Sequence, residues 1–428
     1  MQAFESAPDG MPPRPVPGIS GAGDENGAGR GGFPLGASVT VAELDGDPHP
    51  LLRRLREHEP VSWLPALGGW LVTRHDLALR VMRDSETFTV DDPRFSTARI
   101  VGPSMLSLDG AAHRRQRDPF TQAFRGAEAT ALLESFAVSA AGRLVAGLRA
   151  DGEAELRRGL AGPLAVAVVT EVLGLAGTEP AVILSWYDSI VSAVTALSAD
   201  SSRGGATAAP AAGARSAGHA AFGALRTSVE AAIGQPGASS MLAAAARTGG
   251  LSADEVVSNA AVLMFGGIET TEGMICNAIL HLLSHPGQLS LVIADRSLLP
   301  GAVEESLRLE PSAAVVDRYA TADTKLGTAR IRCGELVIVS IAAANRDPVL
   351  FDEPDSFDIR RGNARQNLGF ARGPHFCPGA ELARLEARAA INALLEQLPG
   401  LRLDEERPSA PRGLVFRKPP ALHVRWSP

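Results

Sequence analysis

Cys377 lies in the segment Phe370-Ala371-Arg372-Gly373-Pro374-His375-Phe376-Cys377-Pro378-Gly379, and a helical pattern follows at once through Ala380, Leu382, Ala383, Leu385, Glu386 and Ala387. The cysteine is thus placed at the mouth of a helix. The partial positive charge of the unpaired N–H groups there favours a thiolate. Gly373 and Gly379 let the backbone turn tightly and approach a bulky planar group. A thiolate so placed can serve as a nucleophile, a redox sulfur or a metal ligand. The bland alternative is a buried structural cysteine, as free cysteines often are.

Other constellations admit both an ordinary and a chemical reading. Glu305-Ser306-Leu307-Arg308 puts two opposite charges three apart on one helix face. On a surface, such a pair is worth little. Gly266-Gly267-Ile268-Glu269-Thr270-Thr271 falls inside an apolar helical pattern from about Ser252 to Leu283. Each glycine there costs ~1 kcal/mol relative to alanine, so two together need a reason. Close packing against another helix is the plain one. His113-Arg114-Arg115-Gln116-Arg117 follows Leu108-Asp109-Gly110, with His113 and Arg117 on one helical face. Basic groups so arranged suit an anionic carboxylate, or else form a solvated face. His281 and His285 have a spacing that can bind zinc. No glutamate or third ligand accompanies them, and Pro286 ends the helix, so an ordinary helix end is the reading.

Taken together, these motifs resemble those of the cytochrome P450 family. Phe370, Gly373, His375, Cys377 and Gly379 match its loop Phe-x-x-Gly-x-His/Arg-x-Cys-x-Gly. The resemblance implies that Cys377 is the axial ligand of a haem b iron, the thiolate pushing electron density toward O–O cleavage. It implies that His375, His113, Arg117 and Arg318, the last in Asp317-Arg318-Tyr319-Ala320, contact the haem propionates. Glu305 and Arg308 match the family's buried Glu-x-x-Arg pair. Ser356 and Asn367 stand where a third, basic partner often occurs, which leaves Arg360 or Arg361 for that role. The glycines of the Ala/Gly-Gly-x-Glu/Asp-Thr pattern permit a kink or bulge against which dioxygen sits. Glu269 and Thr270 would relay protons. Ala343-Ala344-Asn345-Arg346-Asp347-Pro348 matches a structural stretch. The resemblance covers 39 to 428 and is most specific at 108–124, 262–275 and 302–390.

Around these residues the chain reads as mainly α with a smaller β region, the cytochrome P450 fold. Residues 1–38, rich in Gly, Pro, Ala and acids, read as a disordered tail, and 39–428 as a single haem domain. Val61–Leu64 and Trp70–Thr73, around Gly68-Gly69, read as a β-hairpin, and Arg74–Arg83 as a helix. Residues 84–108 read as a long loop. Ala111–Phe124 reads as a helix, as do most segments from 127 to 300, with a mobile interruption at Ser201–Gly213. Strands return at Ala314–Tyr319, Leu336–Ile341 and Val424–Trp426.

Composition excludes several classes. The net charge of −7 leaves no basic footprint for nucleic acid. Three cysteines, Cys276, Cys333 and Cys377, make no disulfide framework. The N-terminus has no signal-peptide core. The longest apolar run, Leu160–Leu175, is broken by Pro163 and Glu171 and too short to span a bilayer. A cytoplasmic location away from membranes follows. Lys325 and Lys418 are the only lysines, and the Ala, Gly and Pro usage suggests a GC-rich bacterial host.

The implied reaction is reductive activation of O2 and insertion of one oxygen atom into a small organic substrate. Electrons would come from NAD(P)H through a ferredoxin reductase and a ferredoxin, since the chain has no room for a fused reductase. Arg114, Arg115, Arg372, Arg384 and Arg388 form a basic cluster suited to steering an acidic ferredoxin. Resemblance and apolarity nominate a pocket of Val262, Leu263, Gly266, Gly267, Ala313, Ala314, Val315, Leu414, Val415 and Phe416. Their small residues leave room for a bulky, largely apolar ligand, and the host-like composition suggests a secondary-metabolite intermediate. Oxidative coupling or desaturation would need the same residues. A peroxide-using enzyme fits less well because Glu269-Thr270 is retained. An accessory subunit fits less well because Cys377 is.

Overall fold

The computed structural model describes residues 32–427 apart from 124–126, 176, 204–207 and 235–239. Helix accounts for 57% and strand for 11%, so the mainly α reading holds. The long helix Ala253–Ser284 starts with a capping box in which Ser252 and Glu255 satisfy each other's backbone N–H groups. It is apolar around most of its circumference, which suits an element packed on all sides. Its C-terminal half packs with helices Ala127–Leu148, Gly162–Leu173, Leu299–Leu309 and Ala380–Gln397. Its N-terminal half packs with helices Pro180–Arg203 and Ala208–Ile233.

The strands are β1 (Val61–Leu64), β2 (Gly69–Val72), β3 (Phe88–Thr89), β4 (Glu153–Glu155), β5 (Val315–Ala320), β6 (Thr324–Leu326), β7 (Ala329–Ile331), β8 (Leu336–Ser340), β9 (Arg402–Leu403) and β10 (His423–Arg425). The main sheet has the order β1-β2-β8-β5-β3. The β1–β2 hairpin pairs Val61 with Val72, as its apolar pattern requires. β2 and β8 are parallel and the other pairs antiparallel. β3 pairs Thr89 with Tyr319 and so sets residues 89 and 90 beside Arg318 on β5.

Several expectations need correction. Pro34–Ser38, read as part of the tail, is a helix, and Phe33 meets Trp70 edge-on at 5.1 Å. The rest of the tail, 1–31, lies outside the described residues. The loop 84–108 contains β3 and a short helix, Ala98–Val101. Most of the interruption at 201–213 is helical: one helix runs to Arg203 and the next starts at Ala208, while 204–207 lie outside the described residues. Alanine-rich sequence is a good helix former even when glycine is mixed in. Leu160–Leu175 is not the longest apolar stretch: Ala131–Leu148 is long and apolar enough, by length and composition, to cross a membrane. Here it packs on helices Gly162–Leu173 and Ala380–Gln397.

His281 and His285 do not form a metal site. His281 Nδ1 lies 2.9 Å from Ser306 Oγ, and His285 Nδ1 lies 2.7 Å from the His281 carbonyl. Burial, reinforced by nearby guanidinium charge, lowers His281 to about 4. The folded chain therefore resists protonating it, while the unfolded chain takes up a proton near pH 6.5. Stability from this residue is complete above pH 6.5 and falls as the pH drops toward 4. Its ring keeps some solvent contact, so the expected loss between pH 7 and 5 is at most about 2 kcal/mol. Urea unfolding at both pH values should show a steeper acid loss for the wild type than for His281→Gln.

Candidate active site

The cysteine loop is held by its own backbone. Cys377 N–H donates to the Phe370 carbonyl at 2.9 Å, and Ala371 N–H to the Leu368 carbonyl at 2.8 Å. Ala371 adopts φ 57°, a left-handed conformation that an alanine takes at some cost. Gly373, at φ +76°, lies so close to the helix His75–Arg83 that a Cβ would come 2.5 Å from the Met82 carbonyl. Glycine is required there. Gly379 caps the helix Ala380–Gln397 without a side-chain bond, and its backbone N–H is directed at the cysteine sulfur.

Burial nevertheless pushes the Cys377 thiol up, against the Gly379 N–H and the charges of Arg117 and Arg384. The helix end favours the thiolate as expected, but burial outweighs it; a bound metal cation would favour the thiolate further.

Beside the loop, four basic side chains converge. The His113 and His375 rings are 4.4 Å apart. His375 Nε2 is 2.9 Å from Asp109 Oδ1, and Arg117 donates to the Phe376 carbonyl. Arg318 is buried and donates to the Asp317 carbonyl at 2.7 Å. Asp109, which the sequence motif quoted without a role, is the hub. It also accepts from Thr89 Oγ1 at 2.7 Å and from Val90 N–H at 2.9 Å. Burial opposes its charge, but these bonds and His375 hold it below the usual carboxylate range.

On the other side of the long helix's glycines lies the apolar wall. Phe265 meets Phe416 edge-on at 5.5 Å. Ala313 bridges to Phe416, and Ala314 N–H donates to the Val415 carbonyl at 2.9 Å. Val262, Leu263 and Phe416 belong to one apolar cluster. Leu414 and Val315 pack with a neighbouring cluster that includes Ala314. A Cβ at Gly266 would meet no atom within 4 Å, whereas one at Gly267 would come 2.3 Å from Val169 Cγ2. Thr270 Oγ1 donates to the Gly266 carbonyl at 2.6 Å.

The cytochrome P450 family model matches residues 228–424. The P450 monooxygenase PikC of Streptomyces venezuelae is 34% identical over 89% of this chain and 91% of its own. The chain belongs to the cytochrome P450 family. The vitamin D(3) 25-hydroxylase of Pseudonocardia autotrophica is also 34% identical, over 83% of this chain and 88% of its own. Among solved structures, CalO2 is 32% identical with a TM-score of 0.79, covering 91% of this chain and 99% of that one. P450BioI, solved in complex with an acyl-loaded acyl carrier protein, is 27% identical with a TM-score of 0.80, covering 90% and 100%. The chain is accordingly a P450 monooxygenase, an oxidoreductase of a family that uses haem.

The residues present fit a haem. His113 Nε2 is buried and makes no hydrogen bond. Burial, then the charges of His375 and Arg117, lower His113 to about 4. Burial also makes Arg318 easier to deprotonate than an ordinary arginine. These are groups that an anionic carboxylate would relieve, as a propionate does. Cys377, His375, His113, Arg117 and Arg318 are drawn from a loop, a helix and a strand far apart in sequence, and the fold brings them together.

The Glu305–Arg308 pair is fully buried. Its third partner is Arg361, whose Nε donates to Glu305 Oε1 at 2.9 Å. Asn367 instead donates to Glu304 at 3.2 Å, and Ser356 offers its carbonyl to Arg308. The glycine reading is split. A Cβ at Gly267 would collide with Val169, which accounts for that glycine by close packing, whereas a Cβ at Gly266 would meet nothing within 4 Å. The long helix is α-helical through both glycines, and the Thr270 hydroxyl donates to the Gly266 carbonyl one turn back. Of the basic cluster, Arg115 is paired with Glu255, and Arg384 with Glu304 and Glu381.

Proposed function

We propose that this P450 inserts one atom of O2 into a small, largely apolar organic molecule, drawing electrons from NAD(P)H through an external ferredoxin reductase and ferredoxin. The folded part would act as one haem domain, in the cytoplasm and off the membrane. The observation that carries the reading is the convergence, beside the Cys377 loop, of His113 with its buried unpartnered Nε2, His375, Arg117 and the buried Arg318. Cys377 would hold the iron, and His113, Arg117, Arg318 and His375 the propionates. Bound haem supplies the oxygen-activating redox chemistry.

The rest is the work of the chain's own side chains. Val262, Leu263, Gly266, Ala313, Ala314, Val315 and the loop Leu414–Phe416 would exclude water and hold the substrate. The relatives' substrates, among them vitamin D(3), are consistent with a bulky apolar ligand, and a secondary-metabolite intermediate is the class we favour. Thr270 would present its hydroxyl proton on the pocket side of the long helix, resupplied through Glu269. Turnover under isotopically labelled dioxygen tests the reaction. One labelled oxygen in the product supports insertion; a product without it supports coupling or desaturation.

Thr270→Ala removes the hydroxyl and its bond to the Gly266 carbonyl. Haem binding should be unchanged. Product per NAD(P)H consumed should fall by about two orders of magnitude, the lower end of what a positioned general acid contributes, with peroxide or water formed instead. Unchanged coupling would remove Thr270 from proton delivery.

A further inference from the structure

The two lysines of the chain stand in opposite settings. Lys325 is exposed on β6. Lys418 is buried, its Nζ 2.8 Å from Glu269 Oε1 and 3.2 Å from Glu272 Oε2. Glu272 is fully buried and also receives Arg157. Arg157 opens a π-helical turn, Arg157–Ala161, and donates to the Pro420 carbonyl at 2.8 Å. Two carboxylates and two cations thus form the line Arg157–Glu272–Lys418–Glu269. Its outer end, Arg157, is 20% exposed, and its inner end, Glu269, 8%.

Local sequence is committed to this line. Glu269, Glu272 and Gly273 share one face of the long helix. A Cβ at Gly273 would come 2.9 Å from Ser312 Oγ and 3.4 Å from Lys418 Cβ, so the lysine stem can lie against the helix only because a hydrogen stands there. The neighbouring Arg417 clamps the loop. It bonds Glu310 at 2.8 Å and the carbonyls of Gly46, Pro411 and Gly413 at 3.0 Å each. One residue further back is Phe416, against Phe265. Buried ion networks are weak sources of stability because desolvation offsets their attraction, so this one has to be explained by what it positions.

We propose that Lys418 is a positioning residue for proton delivery. It fixes the Glu269 carboxylate at the inner end of a line leading from solvent, and ties it to the loop that lines the substrate pocket. The proposal rests on the monooxygenase reading of Glu269 and Thr270.

Two arms on the haem-loaded protein test it. In the first, native labelling with an amine-reactive reagent, read by peptide mass spectrometry, should modify Lys325 at least about tenfold faster than Lys418, since the Lys418 amine is buried between two carboxylates and the reagent cannot reach it. Glu269→Gln should raise the Lys418 rate. In the second, Lys418→Met should keep the thiolate-haem spectrum and ligand affinity. It should raise the peroxide fraction several-fold and change the solvent isotope effect on coupling, with Lys418→Arg restoring both in part. A merely structural lysine would leave the isotope effect unmoved. Equal labelling of the two lysines overturns the proposal. So does a Lys418→Met protein with wild-type coupling and isotope effect. If Lys418→Met does not fold, Lys418→Gln carries the same arm. A wild-type protein without the thiolate-haem spectrum would instead sink the monooxygenase reading, and the labelling arm would still decide whether Lys418 is held.

Discussion

Cys377→Ala should abolish the strongly red-shifted Soret band of the reduced, CO-bound protein and with it all oxygen insertion. The loop has little else to offer a metal. His375 lies in the same loop, but its Nε2 is engaged by Asp109, and His113 stacks behind it. The alanine removes a sulfur that helix end, guanidinium charge and backbone N–H all address and that packs at the edge of the apolar core. The loop itself should survive, because the bonds that shape it run from the Cys377 and Ala371 backbones. Loss should therefore be complete in the spectrum and slight in the unfolding midpoint, within about 1 kcal/mol for a small, partly exposed side chain. A protein that keeps the red-shifted band after this substitution would have another thiolate on its iron. Of the two remaining cysteines, Cys276 is buried in the long helix with its thiol pushed far up, and Cys333 is exposed on the β6–β7 side. The charges of Lys418 and Arg157 reach Cys276 but do not offset its burial.

Much of this site was legible in the sequence because its parts are local. Five positions of the cysteine loop, the His113/Arg117 spacing and the Glu305/Arg308 spacing are each read within one turn or one helix. The hairpin at 61–72 was legible for the same reason: alternating apolar residues around a glycine turn. What was not legible depends on contacts between distant segments. Asp109 gains its role only when β3 pairs with β5 and brings residues 89 and 90 to it. Gly266 and Gly267 look alike in sequence, and only the position of Val169 separates them. Only the fold sets Glu255 beside Arg115 and Glu304 beside Arg384. Lys418 carried no motif at all. Its rarity in an arginine-rich chain was the one available signal, and rarity does not name a partner.

Arg308→Ala should be the most destabilising substitution in the chain. Every N–H of the Arg308 guanidinium is used. Nε and Nη2 donate to the two Glu305 oxygens at 2.8 Å each, Nη1 to the carbonyls of Asn345 and Pro354 at 3.0 and 2.7 Å, and Nη2 to Ser356 at 3.0 Å. The side chain is fully buried and stacks over Phe351. Truncation leaves the Asn345 and Pro354 carbonyls unpaired, the Ser356 carbonyl with Arg361 alone, and a buried Glu305 carboxylate dependent on Arg361 and the Asp358 N–H. Removing one partner of a buried pair costs about 3–5 kcal/mol, a large part of the total stability of most domains. Lysine cannot replace the fork and should lose nearly as much. Arg361→Gln keeps the Glu305–Arg308 pair and removes the bond to Glu305 together with those to the Asp352, Glu353 and Ser356 carbonyls, which lie at the solvent edge of the cluster, so a smaller loss of about 1–2 kcal/mol is expected. Because Arg308 pins the 345–358 segment that runs toward the cysteine loop, haem content should fall in step with the urea midpoint across the two variants. A double Arg308→Ala/Arg361→Gln protein should lose a different amount from the sum, since both arginines share Glu305 Oε1. Additive losses, or an Arg308→Ala protein as stable and haem-replete as the wild type, would mean that the cluster does not hold the cysteine side of the fold together.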